Sequence, residues 1–443
     1  MSRSQAISES SPSTWTGLLT RKPEDFNSAS TKVMSGSLIM LGGSTLVSGF
    51  NFLYNVAMAR MLGPALFGHV TAAVTILMLF SAVTLSFQLV CAKFVARNTT
   101  EYGRWCVYQK LIRRSWTIGV SMSVFAALFS HQLTSYLRLP DQRIALLLAA
   151  GLAVYVPLGV RRGWMQGKCE FRALTWNFII EAALKLGIAL LLVALGYGVL
   201  GAVLALSISL LGAYVFAWEK RPVKSAVITP YEPASFREGI QATVFFVGQV
   251  VINNIDILMV KHFFVADDAG VYAAVALVGR VLYFACWSVV SAMFPVTAAA
   301  EQEESAWHVL RWPMLVVGGM SALSVAVMAA IPQTIMHLVF GEHFHQSGQL
   351  LALYAALTGI YALAVTLITF EMSRKIANTG WLQLLFSLMM VLGISLFHSS
   401  LRDVALVQLV LMLGLLVMVS APFISTYRKT HLGAASIARQ GSA

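Results

Sequence analysis

The chain has 443 residues, of which 58% are hydrophobic and only 11% are charged. A water-soluble protein of this length cannot bury so much apolar surface, so the composition excludes a soluble globular protein and indicates a membrane protein. The net charge of +12 then reflects orientation in the membrane and contact with anionic lipid headgroups rather than nucleic acid, for which no basic-aromatic motif is present.

The apolar residues group into twelve windows, each long enough to cross the hydrocarbon core as a helix of about 20 residues. We predict an all-α, polytopic membrane protein with twelve transmembrane helices, because only a helix satisfies the backbone polar groups within such a segment. The predicted spans are residues 33–56, 69–92, 114–132, 144–163, 176–195, 198–218, 239–262, 271–297, 312–331, 347–370, 380–398 and 403–424.

Polar segments flank and divide these spans. Residues 1–32 are rich in Ser and Thr, have no apolar core and are predicted to form a disordered cytoplasmic tail rather than a signal peptide. The basic, Pro-containing stretch 219–238 is predicted to be a cytoplasmic linker between two six-helix bundles, residues 33–218 and 239–425. Residues 426–443 are predicted to form a second cytoplasmic tail.

The basic residues predict the orientation. The tails and loops on one side of the membrane hold 24 of the 31 basic residues, and Arg161 and Arg162 at the end of span four are counted among them. Because basic loops stay cytoplasmic, both termini are predicted to be cytoplasmic. The opposite loops hold Arg60, Arg138, Arg143, Lys261 and Arg402. Both bundles then begin in the cytoplasm, so the halves are predicted to be parallel repeats related by an axis along the membrane normal.

An internal repeat supports this division. Two stretches half a chain apart share one design, NFLYNVAMARMLGPALFGHVTAAV at 51–74 and NNIDILMVKHFFVADDAGVYAAV at 253–275. Asn55 and Asp256 each precede a basic residue by five positions, and Gly68 and Gly270 each begin a run of small residues. Self-similarity at about half the chain length indicates a duplicated unit.

The same stretches resemble a known family. AMARMLGPALFGHVTAA, NNIDILMVKHFFVADDAGVYAAVALVGR and LVFGEHFHQSGQLLALYAAL are similar to parts of the polysaccharide-biosynthesis flippases of the multidrug/oligosaccharidyl-lipid/polysaccharide exporter superfamily. The resemblance implies a bacterial inner-membrane protein that flips a polyprenyl-pyrophosphate-linked glycan outward and works with glycosyltransferases and a polysaccharide polymerase. It implies no enzyme activity and no cofactor. Two further helices of some relatives are absent.

Two basic residues, Lys185 and Arg280, lie deep in predicted spans. A charge at the bilayer centre costs on the order of 2.5–3.5 kcal/mol, so each indicates a role. Glu181 lies one turn before Lys185, which leaves open an internal ion pair or a cation that faces the cavity. Arg280 has no acid three or four residues away, and its planar guanidinium suits a phosphate or pyrophosphate. We therefore predict that Arg280, and secondarily Lys185, binds the substrate.

Polar residues also line the repeated first helices. Asn51 and Asn55 share one helical face, and Asn253 lies three residues before Asp256. Lining of the cavity between the halves and interhelical hydrogen bonding explain this set equally well. We include all four residues among the predicted substrate-binding residues.

Other chemistries find little support. No Walker A loop, Rossmann fingerprint or GxSxG elbow is present. His337, His343 and His345 have no zinc spacing, and the four cysteines form no CxxC pair, so no metal site is predicted.

Two alternative functions remain. A cation-coupled drug or small-molecule antiporter of the same superfamily would favour membrane-embedded carboxylates, of which Asp256 and Glu181 are the clear ones. A membrane-embedded sugar polymerase would carry a large outer loop, whereas the longest here, about residues 332–346, is short.

Overall fold

The computed structural model describes residues 23–217, 231–234, 236–299, 303–374 and 380–440. The first described element is one helical segment, Pro23–Arg97, that is broken at Gly63. Gly63 has φ 76° and ψ 173°, a conformation that glycine adopts readily, and Pro64 follows as the first residue of the next helix, where its missing N–H is no loss. We call the two arms α1 (residues 23–62) and α2 (residues 64–97).

The remaining helices follow in chain order. They are α3 (Glu101–Leu128), α4 (Ser130–Tyr136), α5 (Gln142–Gly167), α6 (Phe171–Ala194), α7 (Gly198–Phe216), α8 (Phe236–Phe263), α9 (Ala266–Ala299), α10 (Glu303–Ala330), α11 (Pro332–Phe340), α12 (Gly348–Arg374), α13 (Gly380–Leu396) and α14 (Leu401–Gln440), with a 3₁₀ helix at Glu342–Ser347.

The prediction of an all-α polytopic membrane protein is confirmed, and each predicted span lies mainly in one long helix. Nine helical segments of the described residues are long and apolar enough to cross a membrane, and one of them, Gly42–Arg97, holds two spans. The remaining two spans lie in α3, whose first half is basic, and in α13, whose apolar part is only Trp381–Leu396.

Several predicted bounds were wrong. Residues 23–32 and 426–440, expected in tails, are helical. The predicted third span runs across the break at Phe129 into α4, and α3 begins well before it, at Glu101. Most of the predicted linker lies outside the described residues, and α8 begins at Phe236, within its expected range.

The two halves pack in the same pattern. In the first half α2 and α3 pack on α5, α1 packs on α6, and both α5 and α6 pack on α7. In the second half α9 and α10 pack on α12, α8 packs on α13, and both α12 and α13 pack on α14. Even the short helices correspond, because α4 precedes α5 as α11 precedes α12.

The two glycines of the sequence repeat meet each other between the halves. A Cβ atom on Gly68 would lie 3.1 Å from both the Ala266 carbonyl oxygen and the Gly270 nitrogen, and one on Gly270 would overlap the Pro64 carbonyl group. The kink between α1 and α2 therefore contacts the turn between α8 and α9. We call this end of the bundle the kink end. Both first helices finish there, as parallel repeats require.

At the opposite end α2 reaches the start of the second half. Lys93 of α2 pairs with Glu238 of α8 at 2.8 Å, and Arg97 pairs with Glu232 at 2.9 Å. The helices α2 and α8 thus run antiparallel along one seam between the halves, and the apolar core is continuous across it.

Candidate functional site

A buried ion pair lies inside the second half. Arg280 of α9 donates through Nη2 to Asp256 Oδ1 of α8 at 2.9 Å. The other carboxylate oxygen accepts hydrogen bonds from the hydroxyls of Tyr272 at 3.0 Å and Tyr354 at 2.9 Å. Gln408 donates to the Tyr272 hydroxyl at 2.6 Å. Both oxygens of Asp256 are therefore hydrogen-bonded, and the network joins α8, α9, α12 and α14.

This network changes the interpretation of Arg280. The lack of an acid three or four residues away did not leave Arg280 unpaired, because Asp256 reaches it from α8 and Asn254 Oδ1 lies 3.4 Å from its Nη1. A cavity of about 20 Å³ borders Arg280 and Asn253, which is room for about one water molecule. Substrate binding by Arg280 stays a prediction, and here its charge is offset by Asp256.

A second polar cluster lies in the first half, between α6 and α1. Lys185 Nζ donates to Asn51 Oδ1 and lies 5.0 Å from the ring centre of Tyr54. Both direct partners are neutral. Glu181, the acid one turn away, is bound to Arg162 of α5 instead. Of the two readings left open for Lys185, the direct ion pair with Glu181 is therefore not formed.

Two arginines counted as loop residues are in fact buried in α5. Arg162 is 4% exposed; it donates to Glu181 and to Asn177 Oδ1 at 2.8 Å. Arg161 stacks 3.5 Å from the ring centre of Tyr214 and donates to that residue's carbonyl oxygen. Assigning both to a cytoplasmic loop was wrong, because charge alone does not show that a neighbouring helix supplies partners.

The predicted asparagines contribute mainly local hydrogen bonds. Asn55 Nδ2 donates to the Asn51 carbonyl oxygen at 2.8 Å, within α1. Asn253 Nδ2 donates to the Gln249 carbonyl oxygen at 2.8 Å and to the Tyr361 hydroxyl at 3.0 Å on α12. The structure therefore brings Asn51 to Lys185 and Asp256 to Arg280, in two separate clusters rather than one site.

One buried carboxylate escaped the sequence analysis. Glu371 of α12 is 0% exposed, and among the described residues neither carboxylate oxygen has a hydrogen-bond partner. The predicted tenth span ended one residue earlier, at 370, so Glu371 fell outside it. Glu371 lies inside α12, which extends to Arg374. The hydropathy window ended before this last turn of the helix and therefore missed Glu371.

The fold is shared with solved transporters. The outward-facing conformation of a multidrug resistance MATE family transporter of the MOP superfamily has a TM-score of 0.61 at 15% identity, over 88% of this chain and 96% of that one. A MOP superfamily transporter from Pyrococcus furiosus has a TM-score of 0.60 at 14% identity, over 88% and 93%. The crystal structure of MATE in the bent conformation has a TM-score of 0.59 at 15% identity, over 92% of this chain and 96% of that one.

Likeness at such low identity establishes the fold alone: the chain is a polytopic membrane protein with the same fold as these transporters. The family model for polysaccharide biosynthesis proteins matches residues 33–301, more than half of the chain. The chain therefore belongs to the polysaccharide biosynthesis protein family. No curated protein matches it.

Proposed function

We propose that the protein is a bacterial inner-membrane flippase that moves a polyprenyl-pyrophosphate-linked oligosaccharide outward by alternating access. The glycan serves exopolysaccharide, capsule or O-antigen synthesis, with glycosyltransferases supplying the donor and a polymerase consuming it. The family match carries this proposal. The membrane-embedded cations support it, because a pyrophosphate that leaves water needs charge-assisted hydrogen-bond donors.

Of the two cations, Lys185 is the better ligand for the pyrophosphate. Arg280 already holds a carboxylate at 2.9 Å, and an anionic substrate would have to displace that carboxylate. Lys185 contacts an amide oxygen and an aromatic ring, and a phosphate oxygen is a stronger acceptor than either. The order predicted from the sequence, Arg280 before Lys185, is therefore reversed in this proposal.

The experiment compares Lys185→Met with Lys185→Arg. Loss of a charge-assisted contact worth about 1.5–3 kcal/mol should lower export roughly 10- to 100-fold in Lys185→Met, whereas Lys185→Arg keeps the charge and much of the export. The measurement is surface glycan per molecule of protein in the membrane. Normal export per molecule in Lys185→Met would contradict the role of Lys185.

Arg280→Met provides the matched comparison, since it removes a cation of equal charge from the other half. Asp256 would then be buried without its partner, and the expected result is lower protein abundance with export per molecule retained. Loss of export at normal abundance would restore Arg280 as the substrate ligand and place the pyrophosphate in the second half.

The cation-coupled antiporter is the second candidate, and one observation favours it. Asp256 and Glu181 are both occupied by arginines, but Glu371 is buried without a partner among the described residues. An antiporter would confer drug resistance that Glu371→Gln abolishes and Lys185→Met leaves intact. A flippase would confer no drug resistance, and its glycan export would be lost in Lys185→Met.

A further inference from the structure

The basic residue that ends α1 reaches across to the other half. Arg60 donates through Nε to the Val339 carbonyl oxygen at 2.8 Å and through Nη2 to the Leu338 carbonyl oxygen. Both carbonyls belong to the last turn of α11, where a helix leaves its C=O groups without intrahelical partners. A cation there also complements the helix dipole. Arg60 therefore caps α11 of the second half.

The second half makes the corresponding contact on the first. His262 ends α8 next to Lys261, the residue that repeats Arg60. Its ring stacks on Tyr136 with centres 3.9 Å apart and planes 10° apart, and its Nδ1 lies 2.8 Å from the Tyr136 carbonyl oxygen. Tyr136 is the last residue of α4, and α4 corresponds to α11 in the repeat. Each first helix thus caps the short helix of the opposite half.

An aromatic cluster lies behind the Arg60 contact. Phe67 at the start of α2 has ring-centre distances of 6.3 Å to both Phe340 and Phe344, and all three are nearly fully buried. Arg60 itself is exposed. An exposed, charged cap over a buried aromatic contact suits a contact that opens, because water can replace the partners of Arg60 on release.

We infer that Arg60 and His262 are gate residues of the transporter: the two reciprocal caps hold the halves together at the kink end, and both release when the halves part there. The inference depends on the transporter fold and not on the identity of the substrate. It assigns Arg60 a conformational role.

The first test measures access to the seam in purified full-length protein in detergent. Cys91, Cys106, Cys169 and Cys286 are replaced by Ser, and Phe67→Cys serves as the reporter for a water-soluble maleimide. Arg60→Gln and His262→Gln should each raise the labelling rate several-fold, because the closed state loses one cap. The reporter is common to all arms, so its own effect on packing cancels.

Arg143→Gln is the matched control. Arg143 is an exposed arginine of the first half, and its ion pair, with Asp141 at 3.9 Å, lies within the same half. Its labelling rate should equal that of the parent. Equal rates in all four proteins, or an increase in Arg143→Gln as large as that in Arg60→Gln, would overturn the inference.

A second test replaces the Arg60 cap with a covalent bridge between the halves. Arg60→Cys with Leu338→Cys, joined by a short reducible bifunctional thiol reagent, should stop the kink end from opening and abolish maleimide access to the Phe67→Cys reporter until reduction. His337→Cys with Glu342→Cys, side chains 3.9 Å apart within the second half, should leave access unchanged. The reporter is labelled last, after the bridging reagent has been removed. Unchanged access across the bridged halves would overturn the inference.

Discussion

Two buried carboxylates of this chain, Asp256 and Glu371, have opposite surroundings. Asp256 has three hydrogen-bond donors from two other helices, α9 and α12, whereas Glu371 has none among the described residues. The sequence predicted Arg280 and Lys185 as notable because of their depth. It could not predict their partners, because helical spacing shows only neighbours on the same helix, and every partner here comes from another helix.

The two carboxylates should therefore respond oppositely to loss of charge. Asp256→Asn breaks a buried ion pair and should lower stability by about 3–5 kcal/mol. Glu371→Gln has no hydrogen bond to lose and removes the cost of burying a carboxylate, so it should leave stability unchanged or raised. Thermal unfolding of the purified variants checks both, and a similar loss in the two would show that Glu371 has a partner.

At the scale of the helices, hydropathy predicted the existence of the spans and the structure corrected their lengths. A hydropathy window finds the part of a helix that lies in the hydrocarbon core. The helix itself can continue into water as far as the residue that caps its end. At α3 the signal was present in the sequence, since Thr100 caps the helix by accepting a hydrogen bond from the Gly103 N–H at 3.1 Å and Glu101 occupies the first turn. The buried arginines of α5 gave no such signal.

The contact between Gly68 and Gly270 gives a test at this scale. Gly270→Ala places a methyl group against the Pro64 carbonyl, so the backbones of α2 and α9 must separate, at a cost of about 1–3 kcal/mol. Gly318→Ala is the control, because nothing lies within 4 Å of its added Cβ and a helical Gly→Ala change stabilises by up to about 1 kcal/mol. Thermal unfolding should shift down in the first and not in the second.

At the scale of the molecule, the orientation rests on the distribution of basic residues and stays a prediction. Reporter fusions at Arg221 and at the carboxyl terminus should score cytoplasmic, and a fusion near Asp267, at the kink end, should score periplasmic. A periplasmic score at the carboxyl terminus would contradict the twelve-span topology. The repeat was predictable because each copy can be recognised from its own short stretch of sequence. The contact between its two glycines was not, because it depends on how the halves pack.

The contact between Gly68 and Gly270 bears on how the two halves arose. A residue that touches its own repeat mate lies on the pseudo-two-fold axis, and a surface that pairs with itself in this way is what joins two identical subunits in a symmetric dimer. Two copies of a single six-helix chain could form the Gly68–Gly270 contact, and each copy could cap the short helix of the other. The seam of the present protein thus has the form of a homodimer interface that gene fusion placed within one chain, after which each half was free to acquire its own charges.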